Sequence, residues 1–186
     1  MSKDDIERIE EVKEWYVNTA DWLQTLASAL HQMARKETPI ATITPSGLFQ
    51  TPSEIEDSLN AKLDHSSTAS SMKLFAAFEG ALRYDTKHRQ RKGGVGKDLK
   101  RMIKQENLKD IDIADIINCW RARYMMTTTF SILKGLFKYR HWLAHGRYWD
   151  NVGYPVKKSA ITPTYIYYEM RECFDEFKRH EADFGW

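Results

Sequence analysis

Between Lys138 and Trp149 the chain reads Lys138-Tyr139-Arg140-His141-Trp142-Leu143-Ala144-His145-Gly146-Arg147-Tyr148-Trp149, its densest run of cationic and aromatic side chains. Arg140 offers a planar fork of donors that matches two phosphate oxygens, and His145 supplies an imidazole, the side chain suited to giving or taking a proton. Those two abilities are what metal-free cleavage of RNA needs. A base removes the proton of the ribose 2′-hydroxyl, that oxygen attacks the adjacent phosphate, an acid protonates the leaving 5′-oxygen, and a cation stabilises the charge that builds on the phosphorane.

Geometry sets a condition on this pair. Five residues along an ideal helix rotate by about 140°, so Arg140 and His145 share a site only where the helix ends between them. Gly146 is suited to a left-handed C-cap, which puts His145 at the terminus, with its ring able to swing toward a phosphate held by Arg140. Other uses of the same residues exist. Cations at a helix C-terminus complement its dipole, and His141 and His145, four apart, could ligate zinc on one face, although Arg140 and Arg147 oppose a metal ion and the sequence supplies no third ligand. The Arg-x4-His spacing also recurs in Arg83-Tyr84-Asp85-Thr86-Lys87-His88. Context separates the two: the first closes an apolar helix, and the second lies in a strongly polar segment.

The elements that must position these groups follow from apolar periodicity. Ile6, Ile9, Val12, Tyr16, Ala20, Leu23, Ala27, Leu30 and Met33 recur at steps of three and four, predicting a helix over 3–36 with Ser2 and Asp5 as its capping box and a stop near Thr38-Pro39. Residues 40–50 read as a loop. Thr51-Pro52-Ser53-Glu54 combines an N-cap, a first-turn proline and a capping acid, which predicts a short helix to about Leu63. The serine-rich stretch 65–71 reads as a polar connection into a long helix from about Ser67 to Arg89 on Met72, Phe75, Phe78 and Leu82, with Glu79 an acid among apolar neighbours. Gly93-Gly94-Val95-Gly96-Lys97 breaks that helix; it lacks the GxxxxGK[ST] spacing of a phosphate loop and is expected as a hinge or loop. A third long helix runs from about Asp110 to His145 on Ile113, Ile116, Ile117, Trp120, Tyr124, Leu133, Leu136 and Phe137, with an irregularity expected at Thr127-Thr128-Thr129. Thr162-Pro163 then opens a last helix on Ile166, Met170, Cys173, Phe174 and Phe177. The expected fold is all-α: an antiparallel bundle of four main helices plus short extra ones, in a single domain over 1–186. Trp15, Tyr16 and Trp22 are expected in the core or in a dimer interface, and Trp142, Tyr148 and Trp149 as packing residues.

Composition narrows the function class. The 186 residues are 42% hydrophobic and 29% charged, the balance of a soluble globular protein. No stretch reaches the roughly 18 to 20 apolar residues of a membrane span, and the N-terminus lacks the apolar core of a signal peptide, so no membrane partner and a cytoplasmic location are expected. Cys119 and Cys173 have neither CxxC nor Cys/His spacing and are expected as buried free thiols. The net charge of +2 is unevenly spread, because Arg83 to Lys104 holds nine basic residues against Asp85 and Asp98. Such a patch is the footprint expected for a phosphate-rich partner. Arg83, Arg89, Arg91, Lys92 and Lys97 within it, and Arg147 and Tyr148 beside the Arg140 segment, are the expected RNA contacts.

Arg140-His141-Trp142-Leu143-Ala144-His145-Gly146 resembles the signature of HEPN (higher eukaryotes and prokaryotes nucleotide-binding) domains: an arginine, then a polar residue, and a histidine four to six positions after the arginine. The order of helices is similar too, with the motif near the end of a late helix that one more helix follows. The resemblance implies a metal-independent endoribonuclease of the toxin or antiviral-defence type, with no cofactor. It further implies a homodimer with a composite active site, and an antitoxin or defence-system partner protein. By the same resemblance Arg140 binds and orients the scissile phosphate, His145 is general acid or base, and His141 supports the site. Glu79 is the candidate for the polar residue that an earlier helix brings to the motif. One branch carries a tyrosine two positions after the histidine, which a nucleotidyltransferase antitoxin modifies; here that position is Arg147, and the tyrosine follows at Tyr148.

Overall fold

Thr51 opens the helix that organises the structure. Its hydroxyl accepts from the Glu54 amide at 3.3 Å, while the Glu54 carboxylate accepts from the Thr51 amide at 2.6 Å and from its hydroxyl at 2.9 Å, a reciprocal capping box. Those bonds hold the exposed Glu54 carboxyl below its ordinary pKa. The computed structural model describes residues 3–35, 51–89, 93–105, 111–145 and 161–184. These form an all-helical bundle of α1 (Lys3–Arg35), α2 (Pro52–Arg89), α3 (Val95–Gln105), α4 (Ile113–Tyr124), α5 (Thr127–Ala144) and α6 (Pro163–His180). No strand occurs among the described residues, and none of their helices is long and apolar enough to cross a membrane.

The second helix departs from expectation. In place of a short helix, a serine-rich connection and a second helix, α2 is continuous over 38 residues. Ser66, Ser70 and Ser71 are 8%, 0% and 0% exposed; α1 is the helix that packs most extensively along α2, and small side chains permit that close approach. Burial overrides the modest helix propensity of serine. The main core draws Phe75, Phe78 and Leu82 from α2, Trp120 from α4, Leu133 and Leu136 from α5, Met170, Phe174 and Phe177 from α6, and Ile9 from α1. Its aromatic spine includes Phe78 on Phe174 at 4.8 Å and Trp120 on Phe177 at 4.4 Å. Farther along the α1–α2 pair a second, smaller cluster forms around Leu23 and Leu59, edged by Leu26, Ala27, Ile55 and Leu63. Trp15 and Trp22 lie outside the core, 46% and 63% exposed.

The expected third long helix is two. Met125 adopts a left-handed conformation (φ 55°) and donates its amide to the Arg121 carbonyl, ending α4, and Met126 precedes α5. The break falls just before the threonine run named above. Asp112 caps α4 by accepting from the Ala114 amide at 3.0 Å, and Thr162 caps α6 by accepting from the Tyr165 amide at 3.1 Å, with Pro163 in the first turn as expected. Only Gly93 and Gly94 of the glycine-rich segment form a turn; α3 starts at Val95. Gly94 has φ +59°, and a Cβ on Gly96 would stand 2.3 Å from the Arg89 carbonyl oxygen, so both glycines answer to local geometry. Cys173 is buried, and burial pushes its thiol pKa well up. Cys119 is only half-buried, contrary to expectation; its thiol is pushed up first by burial and then by Asp98 and Asp115.

Candidate functional site

The last turns of α5 carry the segment singled out from the sequence. Leu133, Leu136, Tyr139 and Leu143 face the core, and Tyr139 stacks on Trp142 at 5.6 Å, so this part of the helix is fixed by packing. The helix ends at Ala144 and His145 is its C-cap, donating its amide to the His141 carbonyl at 3.0 Å. His145 thereby keeps helical register with His141, and Arg140 reaches the same groove from its flank rather than from the same helical face. Arg140, His141 and His145 all line one concave groove of about 530 Å³, together with Asp112, Ala114, Lys134, Phe137, Lys138 and Ala144. The His141 and His145 rings lie 4.1 Å apart, centre to centre.

Glu79 reaches this cluster from α2. Its Oε2 lies 3.0 Å from Arg140 Nη2, and its Oε1 accepts from Arg83 Nε at 3.1 Å and Nη2 at 3.0 Å. One carboxylate thus holds two guanidiniums, with Glu79 21% and Arg140 38% exposed at the side chain. A guanidinium anchored in this way loses less rotamer freedom when it takes an anion. Together the groups offer an oriented cation and two imidazoles on one wall, which is the equipment for binding a phosphate and moving protons beside it.

The remaining expected RNA contacts fare differently. Arg83 is turned to Glu79, and Lys97 is exposed on α3. Arg89 is a correction: it is 1% exposed. Its Nε and Nη2 donate to Asp85 at 2.8 Å each, and its Nη1 donates to Glu181 at 2.8 Å and Asp183 at 2.9 Å. Its guanidinium also lies 5.2 Å from the Trp120 ring centre and 5.8 Å from that of Phe184. Burial alone would lower its pKa, but the bonds to Asp85 and Asp183 more than offset that and hold it raised. A guanidinium buried in the bundle and bonded to three carboxylates is not presented to a phosphate. Tyr124 donates its hydroxyl to Glu181 in the same knot, and its pKa is pushed up to about 12, first by burial and then by that carboxylate. The Arg83–His88 pair has no comparable setting, since His88 is exposed against Tyr84 at 4.3 Å and neither residue lines the groove that holds Arg140 and His145. Arg91, Lys92, Arg147 and Tyr148 lie outside the described residues.

Sequence reasoning passed over Lys134, Lys138 and Asp112 as groove residues. The signal was present in the spacing of 134, 138, 141 and 145, steps of four, three and four that put all four on one helical face. No protein-family model, curated protein or solved structure matches the chain.

Proposed function

We propose that this chain is a metal-independent endoribonuclease of the HEPN type, cleaving RNA by attack of a 2′-hydroxyl on the neighbouring phosphate. The observation that carries the reading is the convergence of Arg140, His141 and His145 on one groove, with Glu79 ion-paired to Arg140 from a different helix. In this reading Arg140 binds the scissile phosphate and stabilises the phosphorane. His145 transfers a proton to or from the reacting oxygens, and His141, in ring contact with it, supports the transfer. Glu79 positions Arg140 and does not touch the substrate. The products are a 5′ fragment ending in a 2′,3′-cyclic phosphate or its hydrolysed form, and a 3′ fragment with a 5′-hydroxyl.

A two-fold dimer belongs to the proposal, because a second Arg140–His145 set across the axis doubles the acid–base inventory at one composite site. So does a restraining partner, of antitoxin or defence-system type, since indiscriminate RNA cleavage is toxic. The test is incubation of purified protein in EDTA with structured and single-stranded RNA, comparing wild type with His145→Ala and His88→Ala. Cleavage by wild type and His88→Ala but not by His145→Ala is expected. Absence of cleavage by folded wild type over a broad RNA panel replaces this reading with a non-catalytic module that binds RNA, nucleotide or protein.

A further inference from the structure

The groove extends well beyond the proposed reacting groups. Lys134, Phe137, Lys138, His141 and His145 all line it, and on an ideal helix they fall within a sector of about 100°. Lys134 and Lys138 are exposed and one turn apart on the same helical face, about 6 Å along the axis, so their ammoniums, on flexible stems, can follow one strand. Between them Phe137 is half-buried and held from within by Phe75 at 5.8 Å and Phe78 at 6.2 Å. Lysines that follow a backbone beside a fixed aromatic ring are the two ingredients of single-strand recognition: charge for phosphates and a π-face for an unpaired base. The acid on this wall, Asp112, is engaged as the cap of α4.

We infer that this face of α5 is the track along which single-stranded RNA enters the groove, with Lys134 and Lys138 holding phosphates of the strand and Phe137 carrying an unstacked base. The inference rests on the ribonuclease reading for the direction of the track, which leads to His145, and adds the binding residues and the strandedness of the substrate. It also moves the electrostatic contact away from the Arg83–Arg89 turns, where carboxylates hold the guanidiniums.

The experiment separates binding from cleavage. A single-stranded 2′-O-methyl oligoribonucleotide, which has no 2′-hydroxyl to attack, is titrated with wild type, with Lys134→Ala/Lys138→Ala and with Lys97→Ala/Lys100→Ala over a range of salt concentrations. Loss of two phosphate contacts to a single strand reduces the slope of log K against log salt by about 1.4, which is about 25-fold weaker binding at 0.1 M salt. That loss is expected in the α5 variant alone, and a duplex of the same sequence is expected to compete poorly. An unchanged slope in the α5 variant overturns the inference, as does a loss confined to the α3 variant, equal competition by duplex, or no binding by wild type. Ordinary RNA is cut in parallel. Slope loss without cleavage by wild type sinks the ribonuclease reading and leaves the track standing, whereas His145-dependent cleavage with an unchanged slope does the reverse.

Discussion

Replacing Arg89 by methionine tests whether the central charge of the basic segment belongs to the fold or to a ligand. Methionine keeps an unbranched apolar stem against Trp120 and Phe184 but deletes the four hydrogen bonds to Asp85, Glu181 and Asp183. The Asp85 carboxylate, 2% exposed, then stays inside the bundle without its guanidinium, and breaking a buried pair from one side costs about 3–5 kcal/mol. For a domain of this size that lowers the melting temperature by about 6–20 °C. Arg89→Met/Asp85→Leu, which removes the guanidinium together with its most buried carboxylate and leaves only the more exposed Glu181 and Asp183 without their cation, should recover part of the loss. Arg89→Lys should fall between, because an ammonium cannot fork between carboxylates as a guanidinium does. Urea denaturation followed by circular dichroism reads all three, with RNA affinity measured on whichever variants remain folded. Stability of Arg89→Met within 1 kcal/mol of wild type would refute the reasoning, and so would RNA binding lost at unchanged stability.

Two further outcomes follow from local geometry. Met125→Gly should stabilise the protein by about 0.5–1 kcal/mol, because glycine carries no Cβ penalty at the left-handed residue that ends α4; a denaturation midpoint at or below that of wild type would count against it. Tyr124→Phe should flatten the alkaline end of the stability curve. The Tyr124 pKa is raised to about 12 in the folded chain, so its contribution is fully present below the unfolded value near 10 and is lost as pH rises through the folded value. The wild-type minus variant difference in unfolding free energy should therefore shrink between pH 10 and 12, and a difference that holds constant across that window would show that Tyr124 is not responsible.

How far the sequence disclosed this structure depends on whether the deciding contact is local. Thr51 with Glu54, and Thr162 with Pro163, are capping signals complete within one turn, and both cap their helices as read. Glu79 stood out as an acid on an apolar stripe, and its ion pair with Arg140 is the tertiary form of that conflict. The serines of 65–71 misled because their helical state depends on burial beside another helix. The end of α4 carries neither glycine nor proline, so nothing in the apolar pattern marked it. Arg89 was misread because Glu181 and Asp183 are 92 and 94 residues away; only Asp85, four positions before it on the same helix, hinted at an internal pair.

The small cluster around Leu23 and Leu59 gives α2 two thermodynamic identities within one unbroken rod. Residues 72–89 are clamped by the main core and the Arg89 knot, while at the other end, among the described residues, the cluster holds two buried leucines edged by four partly buried side chains, and the leucines contribute about 3–6 kcal/mol of burial. That end can therefore open as its own unit, below the free energy of global unfolding. Amide hydrogens over 52–63 should exchange by this sub-global route while those over 74–86 wait for the whole molecule. Glu79, which holds Arg140, sits on the slow side of that divide, so the groove keeps its shape while the far end of its own supporting helix breathes.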